Sequence, residues 1–242
     1  MRAGRSWTLR LAVLLAGSAV SGCGGTMSLD MNYSPALYRL QQADQWRGIA
    51  LGVAKLEDRR SWIDPTNPES LGYVMQQGAF RFGLTYDGRK YVPVSDLVQT
   101  LFVEEFTRAG VEAKAIPKIL TKDNVADTVE AGRQAGTAYV LGGRVLVFEI
   151  VNETGVWTVT SRRSVTLEIT LVRVQGGDVA LDSNVSLTDR QDEGMGVRHS
   201  TNVDRLMNNV FRRVVTQVVE QVTAKLALAP RDVDVRITLV SR

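Results

Sequence analysis

The chain has 242 residues, and 44% of them are hydrophobic, which is enough for one sizeable core. Its formal net charge of +3 comes from three arginines within residues 1–22, where no acidic residue offsets them. Without that segment the chain has no formal net charge and lacks the basic surface that nucleic acids require. Cys23 is the single cysteine, so disulfide bonds within the chain and a cysteine-type zinc site are excluded.

Residues 1–22 have the three parts of an export signal. Arg2, Arg5 and Arg10 form a charged start, and residues 11–20 form an apolar stretch. About ten apolar residues are half of what a membrane-spanning helix requires, which argues against a transmembrane anchor. An ordinary secretory signal with an incidental cysteine remains an alternative, although a free thiol is unusual in an oxidising compartment.

The run Val20-Ser21-Gly22-Cys23 resembles the lipobox of bacterial lipoproteins. That resemblance implies removal of residues 1–22, a diacylglycerol on the Cys23 sulfur and an acyl chain such as palmitate on the new amino terminus. Several acyl chains give stable membrane anchoring, whereas one does not. Gly24 stands where the family's inner-membrane retention signal has aspartate, so we expect an outer-membrane lipoprotein that faces the periplasm.

Residues 23–47 are polar and weakly patterned, and we interpret them as the lipidated amino terminus and a tether. Residues 48–242 are interpreted as one domain. Its predicted elements, in chain order, are a buried strand at 49–53, a long charged loop at 57–78, a hairpin around Asp87-Gly88, a helix from its cap Ser95 to Ala109, a strand at 111–116, a helix at 123–134, strands at 138–151, 156–174 and 179–187, a polar loop at 189–201, a helix at 203–228 and a strand at 233–239.

Two of these elements carry strong apolar patterns. Val165, Leu167, Ile169 and Leu171 alternate with polar residues, which is typical of a half-buried antiparallel strand. The helix at 203–228 has a broad apolar face that includes Phe211 and Val215. Together the elements predict an α+β fold: a single domain with a mixed, largely antiparallel sheet and two main helices packed on one face.

The lipobox, the first strand running into Asp58-Arg59, the helix ending in Arg108-Ala109-Gly110-Val111 and the long last helix resemble the YajG-like bacterial lipoproteins. The same order of elements is more distantly similar to the auxiliary lipoproteins of ABC-type transport systems and to PqiC-type envelope lipoproteins. The resemblance covers about residues 49–228. It implies an outer-membrane or periplasm-facing lipoprotein and supplies no catalytic residues.

Asp58, Arg59, Arg60 and Trp62 lie where the first strand leaves the sheet, and we predict that they contact a partner. The alternative is an ordinary charged loop at a strand end. Trp46, Trp62 and Trp157 are either exposed binding anchors or cover the core.

Two further residues could carry chemistry. Glu105 falls within an apolar helical stripe, where a carboxylate is either a proton-handling acid or, as we expect, ion-paired with an arginine at the edge of the sheet. His199 is the single histidine and is interpreted as a solvated loop residue before the long helix.

These observations favour a non-enzymatic lipoprotein that binds an envelope protein or lipid, is anchored to the membrane and uses no cofactor and no metal. One alternative is an auxiliary subunit of an ABC-type lipid or solvent transport system. Another is a cell-wall or lipid hydrolase, which would need a cleft joining Glu105 or Glu149 to a second carboxylate.

Overall fold

The computed structural model describes residues 26–35, 46, 48–77, 80–154, 158–194 and 199–228. The predicted signal, Cys23, Trp157 and the strand predicted at 233–239 lie outside the described residues. The predictions that concern them therefore stay predictions.

The described residues form ten strands, three α-helices and two short 3₁₀ helices. In chain order these are β1 (Thr26–Asp30), β2 (Ala50–Lys55), β3 (Glu57–Asp58), a 3₁₀ helix (Pro68–Gly72), β4 (Tyr73–Gln77), β5 (Phe80–Tyr86), β6 (Arg89–Lys90), α1 (Val94–Arg108), β7 (Glu112–Ile119), a 3₁₀ helix (Lys122–Asn124), α2 (Val125–Ala135), β8 (Tyr139–Thr154), β9 (Thr158–Arg173), β10 (Val179–Gly194) and α3 (His199–Ala227).

The larger of two sheets has the strand order β10-β9-β8-β2-β7, with the short β3 beside β8. Strand β9 is antiparallel to both β8 and β10. Strand β2 runs parallel to both β7 and β8. The predicted alternation on β9 is confirmed, because Val165, Leu167, Ile169 and Leu171 are all buried. They point to one face, which we call the inner face.

Helices α1 and α3 cover the inner face, as the two-helix prediction requires. Phe211 and Val215 of α3 are completely buried, and the Phe211 ring meets the Phe148 ring of β8 edge-on with centroids 5.3 Å apart. The shorter α2 packs on the opposite, outer face, where Ala131 joins Val140 in a second small core. The predicted α+β class of the fold is confirmed, with α2 added on the outer face.

The smaller sheet has the order β1-β5-β4, with β6 completing a hairpin with β5. The predicted turn is confirmed, since Asp87 and Gly88 have φ angles of 50° and 71°. Positive φ angles at both central residues are what a tight hairpin turn requires. This sheet packs against the carboxyl half of β8, through Val74 of β4 and Leu84 of β5.

The tether prediction differs from the structure for residues 26–35. Strand β1 pairs in parallel with β5, and Leu29 and Met31 are buried in the main core. Trp46 is also buried, and its ring nitrogen donates a hydrogen bond to the Ala109 carbonyl at 2.8 Å. A five-residue strand whose partner lies about 55 residues ahead has no local pattern that would reveal it.

Three predicted boundaries are also wrong. The segment 57–78 was expected to be loop, yet it contains β3, a 3₁₀ helix and β4. Helix α1 begins at Val94 after an extended Pro93, so Ser95 is inside the helix and does not cap it. Helix α3 begins at His199, which therefore belongs to the helix and not to the preceding loop.

Candidate functional site

Asp58 and Arg60, two of the predicted partner-binding residues, face each other inside the domain. The Arg60 Nε and Nη2 atoms donate to the two Asp58 carboxylate oxygens at 2.8 and 2.6 Å. The side chain of Arg60 is completely buried, and that of Asp58 is 6% exposed. Such a two-pronged pair is the geometry that arginine offers to a carboxylate.

The remaining donors of Arg60 link it to the segment that leads into β4. Its guanidinium donates to the carbonyl of Leu71 in the 3₁₀ helix at 2.9 Å and to the carbonyl of Tyr73, which opens β4. The neighbouring backbone amide of Arg59 donates to the carbonyl of Val145 on β8 at 2.9 Å. Arg60 therefore holds β4 and the 3₁₀ helix before it against β3 through a buried side chain, and its predicted contact with a partner stays a prediction.

Arg59 and Trp62 are the accessible members of the predicted set. The Arg59 side chain is 60% exposed and forms an ion pair with Glu57 at 2.7 Å. Trp62 is half-buried, with the Arg60 guanidinium carbon 5.5 Å from its ring centroid, which is cation–π range. A partner that reaches this loop would contact Arg59 and one face of Trp62.

Glu105 is completely buried and is ion-paired, as expected, but its partner is not an arginine at the edge of the sheet. The partner is Arg108, one turn along α1, whose Nη1 lies 2.5 Å from the carboxylate. Tyr33 lies beside them: burial, followed by the charge and hydrogen bonding of Glu105, raises the pKa of the Tyr33 hydroxyl. Tyr33 also meets the Phe211 ring edge-on. This ring contact helps to fix the amino-terminal segment on the domain.

Glu105 and Glu149, the two carboxylates considered for a hydrolase, lie on opposite faces of the large sheet. Glu105 is buried in the helical layer on the inner face. Glu149 is on the outer face of β8, where one of its carboxylate oxygens lies 3.6 Å from a guanidinium nitrogen of Arg162. The sheet separates them, so Glu105 and Glu149 do not form a catalytic pair with each other.

A network of charges occupies the outer face next to α2. Arg144 pairs with Glu57 and Glu168, each at 3.1 Å, and with Asp123. A hydrogen bond with Glu57 is the main cause that raises the Arg144 pKa. Burial would raise the pKa of Glu57, yet hydrogen bonds from Arg59 and Arg144 outweigh it, and the pKa is lowered. Both shifts favour the charged forms of Glu57 and Arg144, as expected of a fixed ionic network.

The outer face beyond this network carries short polar side chains from β9 and β10. Thr166 pairs with Ser186 at 2.8 Å, and Ser164 pairs with Thr188 at 3.1 Å. The next row outward places Arg162 directly opposite Arg190, with side chains 43% and 64% exposed. No described helix covers these rows, because α2 packs on the other half of the face.

The sequence did not single out Arg162 and Arg190. Each occupies a polar position of an alternating strand, and this pattern predicts that its side chain is on the outer face. The register that places the two opposite each other cannot be predicted from either strand alone. The predicted site at residues 58–62 and this arginine row are on different parts of the sheet, and the structure does not bring them together.

Two features are absent from the described part of the chain. None of its helices is long and apolar enough to cross a membrane. It contains no group of three or more histidine, cysteine, aspartate or glutamate side chains placed to hold a metal ion. The side chain of His199 is outside what the structure describes.

No family model matches the chain, and no curated protein matches it. Among solved structures it is similar to a Xanthomonas campestris protein of the DUF330 family, with 14% identity over 83% of this chain and 96% of that one, and a TM-score of 0.45. A putative neuraminyllactose-binding hemagglutinin homolog from Helicobacter pylori has 11% identity, coverages of 76% and 90%, and a TM-score of 0.41.

Lipoprotein GNA1162 from Neisseria meningitidis has 14% identity to the chain, coverages of 73% and 99%, and a TM-score of 0.28. These are likenesses of chain path, and they say nothing of function.

Proposed function

We propose that the chain is a lipid-anchored lipoprotein of the bacterial envelope whose domain acts by binding, without catalysis. The observation that carries the anchor is the run Val20-Ser21-Gly22-Cys23 after a short apolar stretch. Gly24 after the cysteine supports placement at the outer membrane, facing the periplasm. The resemblance to YajG-like lipoproteins agrees with both.

The structure supports a binding role through the kind of residues that it exposes. The charged residues buried in the domain, such as Arg60 and Glu105, are engaged in ion pairs with Asp58 and Arg108 inside the fold. The accessible charged and aromatic groups are on loops and on the open half of the outer face, for example Arg59 and Trp62. Recognition residues concentrate on such loops of a rigid scaffold.

The anchor is tested by producing the full chain with its native leader in a bacterial host. Intact mass of membrane-extracted protein is expected to show an amino terminus at Cys23 that carries acyl chains, with residues 1–22 removed. The Cys23→Ala variant is expected to remain uncleaved or to leave the membrane fraction. An unmodified amino terminus elsewhere contradicts the proposal, and separation of inner from outer membranes tests the location.

Binding is tested on the loop at residues 59–62. Replacing Arg59 and Trp62 with alanine leaves the Asp58–Arg60 pair in place, so folding is expected to persist. Photocrosslinking in cells from a probe at Ser61, an exposed residue between them, is expected to trap an envelope component. Loss of that product in the double variant supports a role of the loop in recognition. The Lys118→Ala variant, changed at a remote exposed residue, is the control and should keep the product. An unchanged product contradicts its role in recognition.

A further inference from the structure

A lipid on Cys23 would leave the domain almost no freedom to stand away from the bilayer. Strand β1 begins at Thr26, three residues after Cys23. Consecutive Cα atoms are about 3.8 Å apart, so those two residues are at most about 11 Å from each other. The lipid chains hold Cys23 at the membrane surface, and Thr26 must be close to it.

The amino-terminal segment is firmly part of the domain. All five residues of β1 pair with β5, and the amide of Met31 continues the pairing with Thr85 at 2.8 Å. Leu29 and Met31 are buried, and Tyr33 packs on Phe211. Releasing the strand to lengthen the link would expose these side chains, which opposes any detachment.

The strand pairing shows which other residues are level with the anchor. Met27 pairs with Phe82, and Phe82 pairs with Met75. The Met75 sulfur accepts from the Asn152 amide at 3.4 Å, and Asn152 pairs with Ser161 next to Arg162. The start of β1 is therefore level with the arginine row of β9 and β10.

The hairpin of β8 and β9 continues past this level. Thr154 pairs with Val159, two residues further out than Asn152 and Ser161. Strand β10 also continues to Gly194, opposite Thr158. With Thr26 held within about 11 Å of the lipidated cysteine, this end of the large sheet is brought to the bilayer surface.

Arg162 and Arg190 place two like charges directly opposite each other on neighbouring strands, which destabilises a sheet. Each has one long ion pair to offset this, Arg162 with Glu149 and Arg190 with Asp192, both at 3.6 Å. The Asp192 carboxylate also accepts a 2.6 Å hydrogen bond from Thr160, the main cause that lowers its pKa. A further anion between the two guanidinium groups would relieve their repulsion.

We propose that the end of the domain bearing the first residues of β1 faces the membrane, and that Arg162 and Arg190 there bind the phosphates of lipid headgroups. This inference rests on the proposed lipidation of Cys23. Guanidinium groups match phosphate oxygens in geometry and charge. The hydroxyls of Ser164 and Thr188, one row further in, add neutral hydrogen-bonding groups beside them. Glu149 and Asp192 suit the ammonium of a zwitterionic headgroup such as phosphoethanolamine.

The orientation is tested with single introduced cysteines on the full lipidated chain in phospholipid vesicles. Because Cys23 would be blocked by lipid, a thiol-reactive fluorophore labels Thr160→Cys near the arginine row, or Gln134→Cys on α2 as the control. A headgroup-linked nitroxide is expected to quench the label at 160 strongly and the label at 134 little. Equal quenching at both positions, or stronger quenching at 134, overturns the proposed orientation.

Labelling also separates this inference from the proposed function. If the unsubstituted protein takes up one fluorophore at Cys23, the cysteine is not lipidated and the proposed function fails. If Cys23 is blocked but the two labels are quenched alike, lipidation holds and the orientation fails.

The arginine row is tested in phosphate-free detergent with the label at position 160. Short-chain phosphatidylethanolamine is expected to change the fluorescence, with affinity weakened by about tenfold or more in Arg162→Gln/Arg190→Gln. The control Arg133→Gln on α2 is expected to bind normally, and thermal melting checks that all variants fold. Equal binding by the double variant overturns the assignment. If inorganic phosphate saturates the fluorescence change at the same concentration as short-chain phosphatidylethanolamine or at a lower one, the arginine row binds a soluble anion, and the proposal that it binds lipid headgroups is overturned.

Discussion

The two faces of the large sheet are held by different contacts. On the inner face, apolar side chains such as Phe148 and Leu167 pack with apolar side chains of α1 and α3. On the outer face, hydroxyl pairs such as Thr166–Ser186 and the ion pairs of Arg144 link neighbouring strands. The inner face therefore provides stability through buried area, whereas the half of the outer face that α2 does not cover remains open for contacts with other molecules.

The largest effect is expected from the inner face. Phe211→Ala removes a completely buried ring that touches Phe148 and Tyr33, and should lower the free energy of unfolding by roughly 3–5 kcal/mol. Denaturant unfolding measures it, with Arg213→Ala, an exposed position on the same helix, as the control. If both variants melt alike, α3 does not stabilise the domain through this face.

The second effect concerns Arg60, which pairs with Asp58 of β3 and donates to the Tyr73 carbonyl at the start of β4. Arg60→Ala leaves Asp58 charged without its partner and strands the carbonyls of Leu71 and Tyr73, so a loss of about 3 kcal/mol is expected. Arg59→Ala is the matched control, because its exposed pair should contribute under about 1 kcal/mol. Equal losses in the two variants would contradict the structural role of Arg60.

The sequence predicted what depends on local pattern. Alternation on β9, the helical stripe with Phe211 and the Asp87-Gly88 turn are each legible within a few residues. Arg60 could not be assigned this way, because its acceptors include carbonyls 11 and 13 residues away and its burial depends on the packing of β4. The position of β1 beside β5, and the position of Arg162 opposite Arg190, depend on strand pairings between distant segments. Such pairings are set by the whole fold.

A smaller, pH-dependent effect is expected on the outer face. Because the folded-state pKa of Glu57 is lowered, its pairing with Arg59 and Arg144 adds stability that is present above its ordinary pKa of 4.5 and is lost as pH falls through the folded value. Glu57→Gln should cost up to about 1 kcal/mol at pH 7. The difference from wild type should shrink below pH 4.5 in denaturant unfolding.

Glu112→Gln, which removes a more exposed pair with Lys114, is the control for that measurement. If the difference between Glu57→Gln and wild type were constant from pH 7 into the acid range, Glu57 would not titrate with the network. The ionic contribution of the outer face would then be absent.

The smallest effect is expected from the hydroxyl pairs. Thr166→Val keeps the branched shape of the side chain and removes the 2.8 Å hydrogen bond to Ser186, both partners of which can turn to water. The change in unfolding free energy should stay within about 0.5 kcal/mol of zero, as is usual for accessible positions. Leu167→Ala, the adjacent inner-face position on β9, should cost about 2–5 kcal/mol in the same denaturant experiment. A large loss in Thr166→Val would mean that the outer face is itself part of the stabilising core, and the contrast between the two faces would be wrong.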